Sequence, residues 1–184
     1  MSGRRFCLFP SPIGTVGLVW TERGIAGVQI PARDEAATRR SLARRFPDAV
    51  EEAPSPAIEA AIAAIGSLLE GNRTDLSGLS LDLEGVPAFE RSVYDVALTI
   101  PPGSTLTYGE IAGRLGDPAA ARDVGTALGR NPIPIVVPCH RVLAAGGRSG
   151  GFSAPGGVET KMRLLAIEDA APGGQPDLFG LAPR

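Results

Sequence analysis

Residues 107–132 constrain this chain more tightly than any other stretch. Thr107-Tyr108-Gly109-Glu110 has the Thr-x-x-Glu spacing of a capping box, in which a hydroxyl and a carboxylate satisfy free amides at a helix start. Ile111, Ala112 and Leu115 follow at helical spacing. Gly116-Asp117-Pro118 then turns the chain, a second helix is predicted over roughly 119–128, and Gly129-Arg130-Asn131-Pro132 stops it. Two short helices joined by so tight a turn form a helix-turn-helix pattern, which an ordinary helical hairpin also satisfies. The second helix carries the distinguishing detail. Ala119-Ala120-Ala121-Arg122-Asp123-Val124-Gly125-Thr126-Ala127 is nearly all small residues with one long cation. Small side chains let a helix backbone approach a partner closely, and a groove-docked helix with one projecting arginine has this composition.

The segments before this pair differ in kind. Residues 5–31 read as an antiparallel meander: apolar Phe6-Cys7-Leu8-Phe9, a turn at Pro10-Ser11-Pro12-Ile13-Gly14, a β-rich run over 15–21, a turn at Glu22-Arg23-Gly24 and a strand over 25–30. Helices are predicted over 34–46 and 57–70, with a polar connection at 51–56 between them. Ser80-Leu81-Asp82-Leu83 alternates like a short strand. A further amphipathic helix is predicted over 87–98, closed by Pro101-Pro102-Gly103. This pattern predicts an α+β protein in three parts: an N-terminal supporting domain at 1–85, a mainly helical domain with the helix-turn-helix at 86–170, and a Pro/Gly-rich flexible tail at 171–184.

Composition narrows the class. The chain has 184 residues, enough for one medium domain or two small ones. Its apolar runs fall far short of the roughly 20 residues that span a bilayer, and its start lacks a secretory signal, so a cytoplasmic protein is expected. A net charge of -2 argues against nucleic-acid binding by bulk charge, though five arginines against three acids over 110–150 leave that stretch locally basic. Two cysteines and one histidine cannot furnish an ordinary four-ligand zinc site. Cys7 sits in an apolar strand and reads as a buried structural thiol rather than the partner of Cys139 in a disulfide.

The chemistry concentrates at Pro138-Cys139-His140-Arg141-Val142, after the apolar run Ile133-Pro134-Ile135-Val136-Val137. One of the two cysteines adjoins the only histidine. A free thiol titrates near 8.5, so a nucleophilic cysteine needs a base to take its proton, and an imidazole does so best when a carboxylate orients it. Composition does not choose that carboxylate.

From about residue 89 to 168 the chain resembles the O6-alkylguanine-DNA alkyltransferase family, the methylated-DNA–protein-cysteine methyltransferases. The resemblance rests on five blocks in order: Thr107-Tyr108-Gly109-Glu110-Ile111-Ala112, Ala121-Arg122-Asp123-Val124-Gly125, Asn131-Pro132-Ile133-Pro134, Val137-Pro138-Cys139-His140-Arg141-Val142 and Leu164-Leu165-Ala166-Ile167-Glu168. It implies a small antiparallel sheet with helices, a ribonuclease-H-like roll, before the helical domain. It implies a monomer that binds double-stranded DNA through the minor groove, flips out an O6-alkylguanine and moves the alkyl group irreversibly to Cys139, without cofactor or metal. O4-methylthymine is left open as a second substrate. The resemblance assigns Glu168 to back His140, a water to relay the proton from Cys139, and Asn131 to brace the loop before the cysteine. Arg122 would fill the space vacated by the base, on a helix whose Ala121 and Gly125 permit close approach. Tyr108 would contact the guanine, Arg141 and Val142 would lie at the base, and the carbonyls of Cys139 and Val142 would accept from its amino group. Phe152 and Ser153 would wall the pocket, where this chain departs from the family: Ala154-Pro155 separates them from Gly156-Gly157.

In the tail, Gln175-Pro176-Asp177-Leu178-Phe179 resembles the Gln-x-Asp-Leu-Phe peptide that binds the bacterial sliding clamp, with Gln175, Leu178 and Phe179 as its anchors. Two other readings of the chain stand beside repair. One is a sensor that binds alkylated bases without transfer; such sensors lack the cysteine. The other is an unrelated Cys-His hydrolase, which leaves the helix pair unexplained.

Overall fold

The computed structural model describes residues 3–170. Strands β1 (Arg5–Phe9), β2 (Val16–Thr21) and β3 (Gly24–Gln29) form the expected meander. A fourth strand, β4 (Val50–Glu51), pairs parallel with β1, so the sheet runs β3-β2-β1-β4 and is mixed rather than purely antiparallel. That strand left no trace in the sequence because it has two exposed residues inside a polar connection. Residues 80–83 do not form the expected strand. Ser80 and Asp82 bracket Ile25 with two backbone hydrogen bonds of 2.8 and 2.7 Å, and pairing stops at the single bridge between Ile25 and Leu81.

The central strand β2 is buried along its whole length, with a different partner on each face. Phe6, Val19 and Ala26 meet Leu42 of helix α1 (Glu35–Arg45) and its C-cap Phe46; Asp34 caps the start of the helix through a 2.7 Å bond from the Ala37 amide. The Phe46 ring lies against Gly27, where any Cβ would collide with it. Leu18, Trp20 and Val28 face the other way, onto helix α2 (Pro56–Leu69) and the residues beyond 86. Ile58, Ile65 and Leu68 of α2 share one core with Tyr94, Val124 and Val137. One hydrophobic core thus runs across residue 85.

The second part holds helices α3 (Ala88–Leu98), α4 (Tyr108–Arg114), α5 (Ala121–Gly129) and α6 (Gly157–Ile167). The capping box forms as the sequence predicts: the Glu110 amide donates to Thr107 Oγ1 at 3.1 Å and the Thr107 amide to Glu110 Oε2 at 2.6 Å. Helix α5 starts later than expected because Asp117 first caps a separate 3₁₀ turn, Pro118–Ala120. Strand β5 (Leu106–Thr107) pairs parallel with β6 (Val142–Leu143), a contact between segments over thirty residues apart. It sets the first residue of α4, Tyr108, beside the exit of the cysteine segment. No helix among the described residues is long and apolar enough to cross a membrane.

Candidate active site

The apolar run 133–137 is buried but does not form a strand. Ile135 sits at φ +76°, a conformation that costs a β-branched residue on the order of 1–3 kcal/mol. Asn131 holds this strained loop with both ends of its amide: Nδ2 donates to the Val137 carbonyl and Oδ1 accepts from the Ile133 amide, each at 2.9 Å. The chain then passes Pro138 into a 3₁₀ turn, Cys139–Arg141, whose three side chains are all buried.

Two of these side chains converge on one carboxylate. His140 Nε2 lies 2.8 Å from Glu168 Oε1, at the end of α6. Arg141 grips the same carboxylate with Nε at 2.8 Å from Oε2 and Nη2 at 2.9 Å from Oε1, and its Nη1 donates to the Ile100 carbonyl at 2.5 Å. Burial acts to raise Glu168, and the hydrogen bonds from His140 and Arg141 outweigh it, holding the carboxyl at about 2. Glu168 is thus an acceptor only, so the proton between it and His140 belongs to Nε2 and leaves Nδ1 as the basic nitrogen. That atom is buried and has no hydrogen-bond partner among the described residues. Burial also pushes His140 below its ordinary range against the pull of Glu168, so the imidazole is neutral at pH 7 and fit to accept a proton.

The Cys139 thiol is pushed up by burial. Opposing this are a hydrogen bond from Asn131, the positive charge of Lys161 and local backbone amides. Lys161 is fully buried; its Nζ donates to the Val142 carbonyl at 2.5 Å and lies 5.8 Å from the centre of the Tyr108 ring. The sequence reading passed over it, yet a signal was present. Lys161 is the chain's sole lysine among 17 arginines and falls on the face of α6 that carries Leu164, Leu165 and Glu168. A lysine on the apolar face of a helix has no solvent to justify it and points to a buried acceptor.

Around the sulfur, Tyr108, Ala121, Arg122, Gly125, Phe152 and Ser153 line a cavity of about 650 Å³ with Cys139 in its wall. This cavity opens on the helix-turn-helix face.

The comparisons agree with this geometry. Residues 88–170 match the family described as 6-O-methylguanine DNA methyltransferase, DNA binding domain. A methylated-DNA–protein-cysteine methyltransferase of Methanothermobacter thermautotrophicus is 36% identical over 164 residues, covering 89% of this chain and 85% of the relative. The chain belongs to the methylated-DNA–protein-cysteine methyltransferase family. The crystal structure of Mycobacterium tuberculosis OGT in complex with DNA superimposes with a TM-score of 0.73 at 32% identity, over 90% of this chain and 92% of that one. The O6-methylguanine-DNA methyltransferase of Pyrococcus kodakaraensis gives 0.66 at 31% identity, over 90% and 98%.

For a methyltransferase of this family, the structure brings most of the expected residues together. Cys139, His140, Glu168 and Asn131 form one buried array. Tyr108 is half-buried near Gly125, where an added Cβ would just reach contact distance of its ring, and under Gly150, whose missing side chain leaves room for the hydroxyl. Arg122 is exposed at the mouth of the cavity. Val142 is buried, and its carbonyl keeps a second lone pair beyond the one engaged by Lys161. Arg141 corrects the expectation of a residue at the base. It is 5% exposed and its guanidinium is committed inward, to Glu168 and Ile100. Gln175, Leu178 and Phe179 lie outside the described residues.

Proposed function

We propose that this protein repairs O6-alkylguanine in double-stranded DNA by moving the alkyl group to Cys139 in a single irreversible turnover. The observation that carries this is the Cys139–His140–Glu168 array in the wall of a cavity that the helix-turn-helix flanks. The thiol proton passes to His140 Nδ1, through one water in the manner of the family, and Glu168 balances the imidazolium. The thiolate attacks the sp³ carbon on O6. The S–C bond forms as the C–O6 bond breaks, its electron pair returns to the guanine, and the guanine regains a proton from the histidine side. The resulting thioether is stable, so the protein is consumed.

The base reaches this depth only by leaving the stack, at a cost of a few kcal/mol that is smaller at a damaged pair. Helix α5 enters the minor groove with its small-residue face, and Arg122 occupies the space the base vacates. Tyr108 meets the guanine, the Cys139 and Val142 carbonyls accept from its amino group, and Phe152 and Ser153 close the wall. The protein works as a monomer. The 175–179 peptide tethers it to the sliding clamp.

Intact-mass measurement after incubation with a duplex containing O6-methylguanine tests the central step. A gain of one methylene, absent in Cys139→Ala, is expected. Binding without a mass change would instead make the protein a lesion sensor. For the tether, equal affinity of a purified clamp for wild type and a Leu178→Ala, Phe179→Ala variant removes that part alone.

A further inference from the structure

Ala154 and Pro155, the residues by which this chain departs from its family, stand outside the mechanism just given. They line a second cavity, of about 480 Å³, that also has Cys139 in its wall. Phe152 and Ser153 border both cavities, as do Leu128 and Gly129, so the end of α5 and this loop form a ridge at the sulfur with one cavity on each side. The loop is pinned there: Thr160 Oγ1 donates to the Pro155 carbonyl at 2.6 Å and the Gly157 amide to Ala154 at 2.9 Å.

The far end of this annex reaches β3 and α1, and its charged lining has one sign. Arg44, Arg45 and Arg130 border it and no carboxylate does. Arg130 is paired with Glu90 at 3.0 Å. Arg44 and Arg45 form no ion pair among the described residues. Arg45 donates to the Val28 carbonyl, Gln29 Oε1 and the Pro132 carbonyl, all neutral, and Arg44 reaches only Ser41 Oγ at 3.5 Å. A cleft whose charged lining has one sign concentrates positive potential along its length. A methyl group on O6 uses none of this space.

We infer that the annex is a subsite for O6 substituents longer than methyl that end in an anion, the carboxyalkyl and carboxybenzyl class. The inference rests on the alkyltransferase reading. With the reacting carbon at Sγ and the base in the first cavity, the rest of a long substituent crosses the ridge, passes Pro134 and Pro155, and presents its carboxylate to Arg44 and Arg45. A backbone phosphate is the weaker occupant, because Arg44 and Arg45 line the same cavity as the sulfur itself.

The test compares single-turnover transfer from duplexes carrying O6-(4-carboxybenzyl)-, O6-(4-methylbenzyl)- and O6-methylguanine. The two benzyl groups match in shape and differ in charge. Wild type is expected to favour the carboxylate roughly ten-fold, the size of one partly exposed charge-assisted bond. Arg44→Gln, alone and with Arg45→Gln, abolishes that preference and leaves methyl transfer unchanged, and the double lysine variant restores part of it. Equal wild-type rates for the two benzyl groups overturn the annex. So does an equal slowing of all three substrates in the arginine variants, which marks a phosphate contact. Loss of transfer from O6-methylguanine in wild type overturns the alkyltransferase reading itself.

Discussion

Arg141→Met is the most informative single change in this protein. Arg141 makes three hydrogen bonds inside the core, two of them a fork onto Glu168 at 2.8 and 2.9 Å. Methionine keeps most of the stem's packing and removes the charge. Glu168, 4% exposed, is left with His140 as its remaining partner. Stripping one partner from a buried ion pair costs about 3–5 kcal/mol, against a total stability on the order of 5–15 kcal/mol for a domain. Urea unfolding should show that loss, and a cycle with Glu168→Gln should show coupling of about 2–3 kcal/mol between the two sites. Stability alone would not distinguish a structural arginine from one that tunes the site, so the pH profile of single-turnover transfer is the second readout. The Arg141 charge lowers His140, and its removal raises it. The imidazole then becomes protonated at higher pH and the acid limb of the profile moves upward. Arg141→Lys, which restores the charge without the fork, should return the limb most of the way while recovering only part of the stability. A loss below about 1 kcal/mol, the range of an exposed pair, or an acid limb that stays in place would refute this reasoning.

Two further outcomes follow from the same geometry. Lys161→Met removes the bond to the Val142 carbonyl and the cation that opposes the rise of the Cys139 thiol, so the thiol climbs further and transfer at neutral pH slows at least ten-fold, with the alkaline limb displaced upward in a stopped-flow profile. Glu168 has its folded value depressed from 4.5 to about 2, so its contribution to stability is complete above about pH 4.5 and is lost as pH falls through 2. Across that window wild type should lose about 3 kcal/mol more than Glu168→Gln in matched urea titrations.

The sequence made the local features of this site legible and left the long-range ones hidden. The capping box at Thr107 depends on residues three apart, and it forms as read. The Cys139-His140 pair is adjacent in the chain. Glu168 and Asn131 entered through resemblance, since nothing in their own neighbourhoods singles out one acid or one amide. The pairing of β5 with β6, which sets Tyr108 beside the cysteine segment, joins two-residue stretches that carry no periodicity. The inward turn of Arg141 was equally hidden. A 3₁₀ turn has three residues per revolution, and the residue that faces the core depends on what Pro138 and Ile135 do to the entering chain. Ile135 in the left-handed region was not legible at all, because a β-branched residue there is maintained by tertiary packing against its own preference.

These observations bear on how a protein that spends itself in one reaction guards its reagent. A thiolate exposed to solvent reacts with any passing electrophile or oxidant. In a reusable enzyme that loss is partial; here each such event removes a whole turnover. The resting site avoids it by burying Cys139 to 8% exposure and pushing its thiol up, while His140 is held neutral by the same burial. The nucleophile and its base are thus both uncharged in the free protein. The fixed charges that favour the ionised pair are already in place around them: Glu168, clamped by Arg141, for the imidazolium, and Lys161 for the thiolate. Proton transfer from Cys139 to His140 then requires little rearrangement of the protein, because the groups that stabilise its product are oriented before it occurs. What the resting site lacks is a leaving group, and the alkylated base supplies it. Burial keeps the sulfur quiet, and the preformed charges keep it ready.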